Sequence, residues 1–439
     1  TVTAAATAVA LMNYTAPMLT LPDTAAAFGT PPSAQAWLLN GTPLGLAVLL
    51  LVAGSLADAH GRRRIFLLGT LALGLTTALG ALADSTLTFT AARIAQGAAS
   101  AAVLAGSLGL LAHAYPAGRD RIRATGIWGA SVSAGIALGP LLAGALSLAD
   151  WRLVYGTLGA AALVIAGAGA RALRADETKR EGSGSRPDIA GATALGLALA
   201  ALLTALTLGR DGWLRPQVGL LLFAAVALTA LFVAVERRSR TPMVDLALLR
   251  RPAFLASTLG ALFTGLAVIG LFSVVPALLQ GGAGMSPLGA AWLFVLWSGT
   301  AFLVALQARR LPARLSAPYQ LALGFALSAA GVLALLGGLE GPTASWSRLL
   351  PGLLVAGAGS GLLNAALPRL AVDSVPPERA AMGSGANNTA RYIGSSAGVA
   401  LMLALATAGT GPDTAVVVSA ALAVTGAVVT LTLGRRPRR

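Results

Sequence analysis

Cysteine is absent from the 439 residues, which excludes disulfides and thiolate metal sites. Histidine is nearly absent: His60 and His113 are far apart in sequence, so no metal site is expected. Lysine occurs once, at Lys179, aromatics make up 5% of the chain and charged residues 11%. A Gly-rich phosphate loop of Walker type, paired intramembrane carboxylates and a workable Ser/His/Asp set are all missing. Without them neither nucleotide hydrolysis nor another enzymatic activity is expected, and no cofactor is implied. With 56% hydrophobic residues and a mean hydropathy of +0.78, a water-soluble globular chain is excluded as well.

What the chain does contain is a series of apolar runs. A hydrocarbon layer roughly 30 Å thick needs about 20 apolar residues per crossing helix. Runs of about that length recur over 3–21, 35–57, 65–83, 88–113, 124–147, 152–172, 188–209, 216–235, 253–280, 287–306, 317–339, 346–367, 385–408 and 414–434. Strands of a membrane barrel would be shorter and alternating, which these are not. The pattern predicts an all-α polytopic protein with fourteen transmembrane helices. The chain opens on Thr1 rather than Met, and the first span itself is expected to insert it.

The net charge of +15 does not point to nucleic acid, because no basic stretch carries interleaved aromatics. The arginines instead cluster in alternate loops: 62–64, 119–123, 171–186, 237–251, 309–314, Arg369 with Arg379, and the tail from Arg435. The intervening loops hold mainly Asp23, Asp84, Asp150, Asp211, Glu340 and Asp413. This is the positive-inside asymmetry, and it places both termini in the cytoplasm of a cell membrane, as an even number of spans also requires.

The longest polar stretch, 174–188, follows six spans and has the Gly, Ser and mixed charge of a flexible linker. A second break over 236–254 follows two more spans, and its Leu246, Leu248 and Leu249 predict a short helix on the membrane surface. The expected organisation is residues 1–172, six helices; 173–252, the linker and two further helices; and 253–439, six helices.

Several motifs stand in register with this plan. Ala53–Arg64, containing Gly54, Asp58, Gly61, Arg62 and Arg63, joins spans two and three. Span four carries Arg93-Ile-Ala-Gln96-Gly-Ala-Ala-Ser-Ala101, and span five Gly135-Ile-Ala-Leu-Gly139-Pro140-Leu-Leu-Ala-Gly144. Trp151-Arg152 opens span six, and span thirteen holds Gly383, Gly385, Asn388, Arg391, Gly394 and Gly398 after Arg379. Together these segments resemble the major facilitator superfamily, in its fourteen-span drug:proton antiporter branch, over nearly the whole chain. The resemblance implies two six-helix bundles with two inserted helices, rocking around a cavity near the midplane. It implies export of small amphiphiles by proton-coupled antiport.

The physics of the motifs can be read beside that resemblance. Gly135, Gly139 and Gly144 clear one helix face for close approach of a neighbouring backbone, and Pro140 removes one N–H and favours a kink. In the family the residue corresponding to Asp58 latches the cytoplasmic side, and its partner here would be the start of span thirteen near Met382–Gly385. Arg62 and Arg63 are expected to hold local loops or anionic headgroups. Arg93 lies inside an apolar span, where a charge costs about 2.5–3.5 kcal/mol on insertion scales, so it should face the interior near Gln96. Snorkelling to the headgroups is the alternative. The loop signature is only partly repeated at Gln307–Leu315, where Ala313 stands in the acidic position.

Span one departs from the branch. Where relatives carry an acid, Met12-Asn-Tyr-Thr-Ala-Pro-Met-Leu-Thr-Leu-Pro22 has Asn13, which cannot titrate. All sixteen acidic residues are expected in loops or at span ends. Proton coupling must then use Asp23 or Asp58, or be absent. An embedded arginine without an embedded acid favours neutral or anionic amphiphiles as substrates. Polar and aromatic positions expected to line a cavity are Asn13, Tyr14, Asn40, Arg93, Gln96, Trp128, Trp292, Trp297, Asn364, Asn387, Asn388 and Arg391. Trp37, Tyr155 and Trp346, near span ends, read as interfacial anchors, and the segment between Pro276 and Pro287 as an extracellular turn. The function expected is a monomeric exporter. An importer or uniporter of a neutral metabolite is the alternative, and a non-transporting membrane sensor is a third.

Overall fold

A computed structural model describes residues 1–115, 119–173, 188–209, 214–239, 248, 250–308, 315–341, 345–375, 380–407 and 411–434. Among these residues nine helices are long and apolar enough to cross a membrane, one bent pair forms a further span, and four shorter apolar helices complete the set. They coincide one for one with the fourteen apolar runs. The chain divides into two compact units: 1–30 with 40–202 and 220–243, and 31–39 with 203–219 and 244–439.

The first unit begins with α1 (Val2–Thr15) and α2 (Pro17–Phe28), which meet at a 48° bend. Pro17 removes a backbone donor at the break, and such a loss bends a helix. It continues, from Asn40 on, through α3 (Gln35–His60), α4 (Arg62–Ala81), α5 (Thr86–Ala114), α6 (Arg119–Leu146) and α7 (Trp151–Ala172). Helix starts are capped locally. Ser85 and Thr88 form a capping box on α5, and Asp150 accepts from the Arg152 N–H at 2.8 Å on α7. At that end of the unit Phe28, Phe89, Trp151 and Tyr155 pack with ring centroids 5.2–6.0 Å apart, mostly edge to face.

Glycines set the closest helix crossings. A Cβ at Gly135 would come within 2.8 Å of the Leu11 Cβ, and one at Gly139 within 2.8 Å of the Met12 carbonyl, so α6 lies directly on the α1 backbone. Pro140 and Gly144 are buried on the same helix, which runs through Pro140 without a break. Gly45 and Gly97 bring α3 against α5 in the same way. At the loop signature Gly61 takes φ 98°, a left-handed value that glycine adopts freely. Arg63 then donates from Nε to Leu173 O and from Nη2 to Ala170 O, both at 2.9 Å, and so caps the C-terminus of α7. Arg62 Nη1 donates to Gly109 O at 3.2 Å.

The second unit contains α10 (Pro252–Phe263), a π segment (Thr264–Ile269), α11 (Gly270–Ala283), α12 (Pro287–Ala308), α13 (Ala317–Leu333), α14 (Trp346–Asp373), α15 (Ala380–Thr407) and α16 (Pro412–Gly434). Helices α8 (Ile189–Gly209) and α9 (Pro216–Arg238) are the two additional apolar helices. The π segment lies where Gly265 and Gly270 meet α15 at Arg391–Gly398, a backbone contact that Gly394 and Gly398 leave open.

Four expectations need correction. Asp23, expected in a loop, lies within α2, because the helix resumes after Pro17 and continues through Pro22. Pro276 lies inside α11, so the turn before Pro287 is confined to residues 284–286. Leu248, expected on a membrane surface, is buried with Phe254, Val375 and Ala386; apolar packing within the unit takes it from the lipid. Tyr155 is fully buried rather than interfacial. The linker 174–187, the repeated loop signature over 309–314 and Arg379 lie outside the described residues.

Candidate functional site

Four polar residues of the first unit converge on one buried network. Asn13 on α1, Thr77 on α4, and Arg93 and Gln96 on α5 are each 0% exposed. Arg93 and Gln96 are three residues apart and so share a helix face. Arg93 Nη1 donates to Gln96 Oε1, and its Nη2 donates to the Asn13 main-chain oxygen at 2.8 Å. Gln96 Nε2 donates to Thr77 Oγ1 at 2.7 Å and to Asn13 Oδ1 at 3.2 Å. The Thr77 hydroxyl donates in turn to Leu73 O at 2.6 Å, and Asn13 Nδ2 to Val9 O at 3.1 Å. Every donor thus runs outward from the guanidinium, and the Gln96 and Asn13 amides are held in one orientation. Tyr155 on α7 closes the site: Arg93 stands 5.7 Å from its ring centroid, and its hydroxyl meets Thr20 Oγ1 at 2.8 Å.

The close α1–α6 crossing makes this geometry possible by seating Met12–Thr15 against α6. The α3–α5 glycine contact does the same on the other flank, where Thr42 Oγ1 donates to Arg93 O at 3.2 Å. Arg93 does not snorkel; its guanidinium is held inside the unit. One oxygen of half-buried Asp23 is buried without a hydrogen-bond partner, and Asp150 is its charged neighbour.

The other predicted residues are placed less closely together. Tyr14 and Asn40 are buried in the first unit, and Trp128 donates from its indole N–H to Ser107 Oγ at 2.9 Å. In the second unit Trp297 is buried and stacked on Phe272, with centroids 4.4 Å apart and planes 11° from parallel, while its indole N–H has no partner. Trp292 is 50% exposed. Asn387 donates to Ser257 O at 2.9 Å and Asn388 to Ser384 O at 3.1 Å, so both amides serve helix backbones. Asn364 and Arg391 are half-buried. Gly54 faces open space. The Asp58 and Met382 side chains lie outside those described.

Sequence reasoning missed Thr77, Tyr155 and Thr20. A threonine inside an apolar span commonly bonds its own backbone, so Thr77 gave no signal. Tyr155 did give one: Arg93 and Tyr155 lie near the starts of α5 and α7, at comparable depth from one side of the membrane. Glu236, at the end of α9, is the other buried charged residue among those described.

The family model for the Major Facilitator Superfamily matches residues 3–399. The chain is 32% identical to the multidrug resistance protein Stp of Mycobacterium tuberculosis over 385 residues, covering 87% of this chain and 70% of that one. It is also 32% identical to the puromycin resistance protein Pur8 of Streptomyces alboniger over 413 residues, 92% and 81% of the two chains. Among solved structures, a bacterial homologue of the human lysosomal transporter Spinster, inward-facing and occupied, aligns over 99% of this chain and 95% of its own with a TM-score of 0.70 at 15% identity. That likeness is one of fold. The apolar helices, the motifs in register and these relatives agree: the chain is a multi-pass membrane protein of the Major Facilitator Superfamily, a family of small-molecule transporters rather than enzymes.

Proposed function

We propose that the protein exports small amphiphilic compounds, neutral or anionic, from the cytoplasm across the cell membrane by alternating access. The export direction is supported by the names of the relatives, which include resistance and export proteins for puromycin and cephamycin. It also draws on the glycine face of α6 lying directly on α1. The observation that carries the substrate class is Arg93: a buried guanidinium surrounded by neutral partners disfavours organic cations and tolerates neutral or anionic groups. Trp297, Trp128, Tyr14, Asn364, Asn388 and Arg391 are the proposed substrate contacts, and Asp58 with Gly61–Arg63 the proposed cytoplasmic latch. The protein is proposed to act as a monomer with both termini in the cytoplasm.

Proton antiport is the proposed drive, with Asp23 as carrier. One of its oxygens lacks a donor, so a proton taken up there disrupts no existing bond. The second reading, transport without protons, is favoured by Asn13, which fills the network as a non-titrating amide. Drug-induced proton movement in energised inside-out vesicles decides between them. Proton release on adding a neutral or anionic amphiphile, lost in Asp23→Asn, supports antiport. Saturable flux of labelled substrate without proton movement supports the second reading.

A further inference from the structure

Among the described residues the guanidinium of Arg93 has no counter-charge. Its bonds go to an amide oxygen and a main-chain carbonyl, and a neutral aromatic ring lies beside it. Among the described residues the Tyr155 phenol is the titratable group that acts on it, and no carboxylate pairs with it. Its Nε–H is buried and without a partner. One turn earlier on the same helix, Thr90 is 8% exposed and its hydroxyl is likewise unpartnered. Three residues separate the two, so both project from one face of α5. Buried charges are ordinarily paired, and buried donors ordinarily bonded. Here a full positive charge and two free donors on one helix face lack an acceptor among the described residues.

We infer that Arg93 and Thr90 form a site for one small monovalent anion that supplies the counter-charge missing among the described residues. The anion is either a free halide or the carboxylate of a transported compound. The halide source stands apart from the proposed export, and the carboxylate source rests on it. Asn13 is what leaves the site open. An acid there would supply the charge from within, whereas the amide offers Arg93 only its main-chain oxygen. Bound anion also accounts for both unpartnered donors at once, since a halide accepts from a guanidinium N–H and a hydroxyl together.

The test is thermal unfolding of the full chain in detergent at pH 8.5, with chloride, bromide or benzoate titrated against gluconate at constant ionic strength. A ligand that binds only the folded state raises the midpoint saturably, here by about 2 °C or more. The shift should vanish in Arg93→Met, persist at weaker affinity in Arg93→Lys, and vanish in Asn13→Asp, whose carboxylate fills the role internally. A shift from chloride and bromide identifies a free halide; one from benzoate alone identifies the carboxylate of a substrate. No shift from any anion, or an equal shift in Arg93→Met, overturns the site. If Arg93→Met does not fold, a shift retained in Asn13→Asp overturns it instead. Because nothing is transported in this assay, its failure leaves the export proposal standing, and failed export leaves the site standing with a halide as its ligand.

Discussion

At the scale of single residues, the buried network separates two jobs that one side chain could have combined. Tyr155 offers its ring face to Arg93 and its hydroxyl to Thr20. Tyr155→Phe keeps the ring and strands the Thr20 hydroxyl, which is 0% exposed. The expected loss is about 1–3 kcal/mol of stability, with export retained in whatever protein folds. Thermal unfolding and vesicle flux on the same preparation check both halves. Asp23→Asn should do the reverse: folding close to normal, because the unpartnered oxygen has no bond to lose, and proton movement abolished. A wild-type proton signal in Asp23→Asn would move the carrier elsewhere in the chain.

At the scale of helices, the glycines divide into those that touch and those that do not. Gly139 faces Met12 and Thr15 across the α1–α6 crossing, so Gly139→Val forces the backbones apart, and an overpacked contact of this kind costs about 1–3 kcal/mol. Folded yield and melting midpoint should both fall. Gly54 sits within α3 with nothing inside 4 Å of its would-be Cβ. Gly54→Ala should hold or slightly raise stability, by up to about 1 kcal/mol from helix propensity alone. If transport nevertheless drops in that variant, Gly54 makes its contact in another conformation of the cycle. The helices themselves were legible from hydropathy, since each apolar run is long enough to declare itself. The bend at Pro17 was not, because the apolar run over 3–21 continues straight across it; Asp23 was misplaced because that run ends at 21, while α2 continues through Pro22 to Phe28. Arg93 and Gln96 were legible because charge is rare in an apolar span. Leu248 was misread because its flanking charges suggested an interface, while its own neighbours are Phe254, Val375 and Ala386.

At the scale of the whole molecule, charge distribution carries the orientation. Thirty arginines and a single lysine give, with sixteen acids, a net charge of +15, yet the arginines cluster in every second loop and the intervening ones hold only Arg152, Arg210, Arg215 and Arg348 beside their acids. Cytoplasmic loops retain basic residues because translocating them is unfavourable, so the basic loops mark one side of the membrane. With fourteen spans, the proposed orientation puts both ends of the described chain on that side. Arg63 reinforces the assignment locally, since it ties the start of α4 to the end of α7, two elements that must then lie at the same membrane face. A reporter pair fused after Arg439 should therefore fluoresce as a cytoplasmic protein and show no periplasmic phosphatase activity. The same pair placed in the loop at Asp84 should give the opposite result, with phosphatase activity and no fluorescence. Inverted outcomes at both sites would reverse every loop, turn the proposed latch at Asp58 outward, and convert the exporter reading into uptake.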